Sequence, residues 1–362
     1  MMRISFTKAV ACIALSIMLS SGSAFAQSST QKKISGQIAG WSTSFKLYSD
    51  SAELAKMQEN FVSEFNRLKP QSNREFFVKQ FTKVFGPMLE NKDSAFNKGD
   101  TLRANRRLIL MVTVSQLRSK ASAKYLLKFA NDKKASIKML AWKGIDHSRK
   151  FVFKLGKKSR AKFLKAFDNC ITSDQNPFVL EAAYSFANIS AKNAKAMKIK
   201  SSSQKSIAKN LIKSICNSRA NACKVLKATK CATVAQAMQT AVSALNNLST
   251  LVALPQKLKT ETVQFTFDVA ITASNILGNN AIPWKEKDVN NLKIPAYISL
   301  IVKAEQFIFF QVELKGEKKN SDLAKKYKGN KDDDIEFIEF SLNLQEILND
   351  KKIINLGIKE PK

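Results

Sequence analysis

The chain has 362 residues but only one histidine, five cysteines, eleven glycines and seven prolines. Each scarcity excludes something. With His147 alone there is no metal centre built on paired histidines. His147 also lies directly between Asp146 and Ser148, and sequence neighbours cannot orient one another as a catalytic triad requires. Few glycines and prolines disfavour a turn-rich all-β fold and suit helices. There is no glycine-rich phosphate loop and no nucleophile elbow. The acidic run Asp332-Asp333-Asp334 with Glu336 lacks the alternating ligands and central glycine of a calcium loop, and reads instead as an acidic helix start. No catalytic set, metal site or cofactor is expected.

Long apolar runs are also missing. The most apolar stretch, Ile294 to Leu314, is interrupted by Lys303, Glu305 and Glu313, so no membrane span is expected. A shorter run, Ala9 to Leu19, follows Arg3 and Lys8 and precedes small residues ending in Ala24-Phe25-Ala26. It falls short of the roughly 20 residues that cross a bilayer and fits the roughly 7–15 of an export-signal core. Cleavage is expected after Ala26. Cys12 lies within the core without a lipobox, which argues against a lipid anchor. The pattern is of bacterial type and predicts a periplasmic or secreted protein.

Four cysteines then remain, an even number in a compartment that permits disulfides. Within one continuous helix Cys216 and Cys223 stand about 10 Å apart, too far to bond. Across a turn at residues 217–221 they meet, which leaves Cys170 for Cys231. Buried free thiols are the equal alternative.

Acidic residues are scarce in one place. The chain carries a net charge of +31, and residues 102–231 hold thirty lysines and arginines against five acids. A general solubility device would intersperse both signs. The cations form ladders at helical spacing: Arg103, Arg106 and Arg107; Lys120, Lys124 and Lys128; Lys150, Lys154 and Lys158; Lys205, Lys209 and Lys213; Lys224 and Lys227. Like charges at this spacing cost a few tenths of a kcal/mol each. A solvated outer face is one reading of such ladders and a polyanion-binding stripe the other. Lysine greatly outnumbers arginine, which favours diffuse contact over bidentate recognition.

Periodicity predicts helices along most of the chain. Ala52, Leu54, Met57, Phe61, Phe65 and Leu68 mark one that ends at Pro70, and Phe76, Phe77, Phe81 and Phe85 mark the next, stopped by Gly86-Pro87. The expected segments are an export signal at 1–26, a disordered Ser/Gln/Lys-rich lead at 27–50, an N-terminal helical region at 51–100, a basic repeat-like domain at 101–254 and a C-terminal helical region at 255–362. Residues 191–205 read as a loop, and Phe337, Phe340 and Leu342 permit a strand.

Within the basic domain a pattern recurs after forty-two residues. Asp132 falls on Asp174, Ile137 on Val179, Leu140 on Ala182, Ala141 on Ala183 and Trp142 on Tyr184, with Pro177 at a first helical position. This resembles the HEAT-repeat family, whose helix pairs carry a turn Asp, an early Pro and a small residue in the second motif. The resemblance covers about residues 102–190. The basic residue that often follows the β-branched position is matched by Lys138 and replaced by Leu180 in the second copy. It implies a scaffold with an extended binding surface.

The expected fold class is all-α, either a HEAT-like α-solenoid or an irregular helical bundle, with a small mixed C-terminal region. The expected function is an exported, non-enzymatic scaffold whose partner is an anionic polymer, a lipid headgroup or an acidic protein. An envelope-associated structural component and a hydrolase with an unrecognised carboxylate site are the alternatives.

Overall fold

The computed structural model describes residues 28–47, 50–90, 100–198, 201–279, 293–312 and 351–359. The fold is all-α, with no strand among the described residues. Two compact units are present, one ending at Leu110 and the other beginning at Met111.

The first unit contains α1 (Ser29–Leu47), α2 (Ser51–Arg67) and α3 (Gln71–Leu89), and the start of α4 (Asp100–Gln116). Its core is a run of aromatics held at one-turn spacing. Phe61, Phe77, Phe81 and Phe85 are buried, and Phe61 meets Phe81 and Phe85 edge-on at centroid distances of 5.1 and 5.4 Å. Asp50 opens α2 by accepting from the Ala52 N–H at 3.1 Å.

Helix α1 occupies the stretch expected to be a disordered lead. The reason is a narrow apolar stripe in a polar background: Ile34, Ile38 and Phe45 are buried, and Trp41 packs on Phe61 at 4.8 Å. The third helix also runs past the expected stop. Gly86 and Pro87 lie in its last turn, and the Glu90 N–H closes on the Gly86 carbonyl at 2.8 Å.

The second unit is built from two rows of helices. One row is α6 (Ala135–His147), α9 (Pro177–Ala187), α13 (Ala232–Ser249) and α15 (Lys293–Val312), each packed on the next. The other is α8 (Lys157–Ser173), then α11 (Ser201–Asn217) with α12 (Arg219–Thr229), then α14 (Gln256–Asn279), laid against the first row. Short helices join them: α5 (Lys120–Leu126), which packs on α6, α7 (Arg149–Val152) and α10 (Ala191–Ala196). A last short helix, α16, spans Lys351–Ile354.

Burial explains the composition of the first row. Helix α13 has no charged residue and buries Val234, Ala235, Ala237, Met238, Ala241, Val242, Ala244, Leu245 and Leu248. Apolar burial on so many sides is the pattern of a core helix, and alanine lets neighbouring helices approach closely.

The two copies seen in the sequence share local geometry. Asp132 Oδ1 accepts from the Lys134 N–H, and Asp174 Oδ1 accepts from the Asn176 N–H, both at 2.9 Å. Each Asp thus folds the turn before its helix. Lys138 pairs with Asp174, which ties α6 to the turn opening α9. Asn176 caps α9 by accepting from Phe178 and Val179, and Pro177 follows as its first residue. Trp142 and Tyr184 are both fully buried and both satisfied: Trp142 Nε1 donates to the Ala130 carbonyl at 3.2 Å, and the Tyr184 and Ser218 hydroxyls lie 3.0 Å apart. The next turn departs from the pattern, because Lys230 adopts a left-handed conformation at φ 46° before α13.

The boundary expected at residue 254 is absent. Helices α14 and α15 pack on α12 and α13 within the same compact unit. The stretch expected to be a loop at 191–205 contains α10 and the start of α11, with Ser190 accepting from the Asn193 N–H at 3.2 Å. The export signal expected at 1–26, the acidic helix start at 332–336 and the strand at 337–342 lie outside the described residues. No described helix is long and apolar enough to cross a membrane.

Candidate anion-binding surface

The two rows differ in charge. In the first, α9 carries Glu181 alone and α13 nothing. The second bears the ladders. Helix α8 buries Phe163, Phe167, Cys170 and Ile171 and turns Lys158, Lys162 and Lys165 outward. In α11 the buried face is Ile207, Leu211, Ile212 and Ile215, and the exposed one carries Lys205, Lys209 and Lys213. Ala222, Val225 and Leu226 of α12 are buried while Lys224 and Lys227 are exposed. An amphipathic helix on a core presents its polar residues this way, and here every exposed charged residue of the three helices is a lysine or arginine. Helices α8, α11 and α12 pack on one another.

None of these lysines forms an ion pair among the described residues. Two of the five acids of the basic block are committed elsewhere: Asp174 to Lys138, and Asp146 to Arg149. Lys120, Lys124 and Lys128 are exposed on α5 and the turn after it, and Lys150 and Lys154 around α7. Two of them sit on aromatic faces, Lys128 over Tyr125 and Lys150 over Phe151, each at 4.9 Å.

The arginine ladder differs from the lysines. Arg103, Arg106 and Arg107 are half-buried. Arg106 donates to the Lys46 carbonyl at 3.0 Å and Arg107 to the Leu89 carbonyl at 2.9 Å, near the ends of α1 and α3. Cations placed there satisfy terminal carbonyls and complement the helix dipole. Burial lowers the pKa of Arg106. These two arginines build the first unit. No residue pattern distinguished them from the open ladders; only their contacts do.

His147 ends α6 with Nδ1 3.2 Å from the Ser115 carbonyl. Its neighbours turn away from it, Asp146 to Arg149 and the buried Ser148 to Ser122. No group of three or more His, Cys, Asp or Glu side chains suited to a metal ion exists among the described residues.

The four cysteines are free thiols, and the pairing of Cys216 with Cys223 and of Cys170 with Cys231 is not formed. The expected turn is a single-residue break at Ser218, and it leaves the two helices facing different neighbours. Cys216 is buried at the end of α11, while Cys223 meets Thr272 of α14. Burial pushes the Cys170 thiol up to about 12, with Asp174 adding to the shift. Burial raises Cys216 and Cys223 as well. Such thiols are poor nucleophiles.

Fold and surface together define an all-α protein in which three packed helices, α8, α11 and α12, carry exposed lysine faces. No protein-family model, no curated protein and no solved structure matches the chain.

Proposed function

We propose that the protein is a non-enzymatic, HEAT-like helical scaffold that engages an anionic polymer through the lysine faces of α8, α11 and α12. The observation that carries this reading is the segregation of charge: adjacent helices of one row bear exposed lysines without ion pairs, beside a row that is nearly neutral. Such a face attracts a polyanion by long-range steering and by release of its condensed counterions. Lysine rather than arginine favours contact with charge density over recognition of one planar group. With the export signal read from the N-terminus, the polymers within reach are acidic envelope or extracellular polysaccharides, lipopolysaccharide and extracellular nucleic acid.

Heparin serves as the test polymer. Full-length protein binds it at 50 mM salt, and affinity falls by about a thousandfold on raising salt to 200 mM if roughly six contacts form. Replacing Lys205, Lys209 and Lys213 together with Glu weakens binding at least tenfold while the circular dichroism of the helices is unchanged. Absence of binding at 50 mM salt, or binding indifferent to salt, overturns the reading.

A further inference from the structure

The lysine face of α12 borders α14, and together with the C-terminal segment the two helices outline a partly open cavity. Arg219, Lys224 and Lys227 of α12, Gln264 and Asp268 of α14 and Lys359 of the C-terminal segment line a cavity of about 770 Å³. That volume lies within the roughly 300–1,000 Å³ of small-molecule sites. Alanines at 220 and 228 form part of the wall, where longer side chains would fill the space.

The cavity is held together by one connected set of bonds. Asp268 is buried; its Oδ1 accepts from Gln264 Nε2 at 2.7 Å and its Oδ2 pairs with Arg219 Nε at 3.3 Å. The same Gln264 amide accepts from the Lys359 N–H at 2.9 Å and donates to the Lys359 carbonyl at 2.7 Å, which fastens the C-terminal segment at the cavity. Both carboxylate oxygens of Asp268 are thereby used. Arg219 is gripped at Nε and remains 47% exposed, so its outer edge faces the opening. Four cations and, among the described residues, one carboxylate that is already engaged line the cavity.

We propose that this cavity binds a small, multiply charged anion of the pyrophosphate or phosphate-ester class, held between Arg219, Lys224, Lys227 and Lys359. An arginine fixed by a buried carboxylate presents its remaining donors in a set direction, which suits tetrahedral oxyanions. The lysines of α8 and α11 have no such anchor. Lys224 and Lys227 belong to the polymer-binding face as well, but the fixed elements of the site, the Asp268–Arg219 and Gln264–Lys359 contacts, play no part in the polymer reading.

Calorimetric titration of the full-length protein with pyrophosphate at 50 mM salt tests it. One anion binds per chain, and Lys227→Ala, an exposed position, weakens binding at least tenfold with unchanged helical circular dichroism. Asp268→Asn separates the built site from plain attraction. Removing a negative charge tightens binding if attraction alone operates, and weakens it severalfold if Asp268 orients Arg219. The Lys205, Lys209 and Lys213 to Glu variant on α11 lowers heparin affinity and leaves the single pyrophosphate site in place, so the two proposals fail separately. No binding, several equivalent anions per chain, or tightening by Asp268→Asn each overturns the inference.

Discussion

Gly144 lies where α6 passes close to α4 and α5. A Cβ placed on it stands 2.5 Å from Leu126 Cδ1 and 2.6 Å from Ser115 Cα, and the second of these is backbone that cannot swing aside. Gly144→Ala is therefore expected to destabilise the second unit by about 1–3 kcal/mol, as overpacking does, despite alanine's better helix propensity. Urea unfolding followed by circular dichroism measures it, and a neutral or stabilising result contradicts this account of the contact. From the sequence Gly144 is only a weak helix residue; the need for it comes from a neighbour eighteen residues away in Leu126 and another twenty-nine away in Ser115. Trp142 and Tyr184 are the opposite case. Their equivalence was legible from the forty-two-residue offset, and both prove fully buried with polar atoms satisfied. The partners of those polar atoms, Ala130 and Ser218, were not legible, because nothing local marks them.

At the scale of elements, α1 shows how a true signal is hidden by its background. Ile34, Ile38, Trp41 and Phe45 recur at steps of four, three and four, but serine, glutamine and lysine surround them and the stretch reads as solvated lead. The stripe is enough because α3 offers a complementary aromatic face, on which Phe45 meets Phe85 at 5.6 Å. Ile38 is wholly buried, and Ile38→Ala is expected to cost about 2–5 kcal/mol of the first unit's stability. Trp41 fluorescence during denaturant unfolding reports it, since that ring packs on Phe61 and Phe77. An unchanged midpoint would mean that α1 is not part of the core. The same logic separates the ladders. Arg103, Arg106 and Arg107 share the spacing of the lysine ladders, yet two of them close helix ends rather than face solvent.

Across the whole molecule, charge of one sign prevails, a net +31 with its excess concentrated in residues 102–231. Exposed lysines on adjacent helices, with no ion pairs among the described residues, repel one another and destabilise the folded state. Salt shortens the reach of that repulsion, from about 30 Å at 0.01 M to about 8 Å at 0.15 M. The thermal midpoint of the protein is therefore expected to rise by roughly 2–4 °C for each kcal/mol of repulsion relieved when sodium chloride is raised between those concentrations. Differential scanning fluorimetry across the series checks it. A flat or falling midpoint would mean that the lysines are already compensated. A polyanion should stabilise the chain for the same reason and at far lower concentration, because it binds the folded face.

The sequence by itself determined the helical class, most helix positions, the helix start at Pro177 and the concentration of positive charge, since each follows from local periodicity and composition. Only the tertiary structure decided which cations face outward and which close helix ends, why α13 carries no charge, and that α14 and α15 continue the rows instead of forming a separate region. It also placed Arg219, Asp268, Gln264 and Lys359, spread over some 140 residues of sequence, around one cavity. Periodicity records what one helix needs from a core. It holds no record of which helix supplies that core, and contacts between distant segments are where charge acquires a direction.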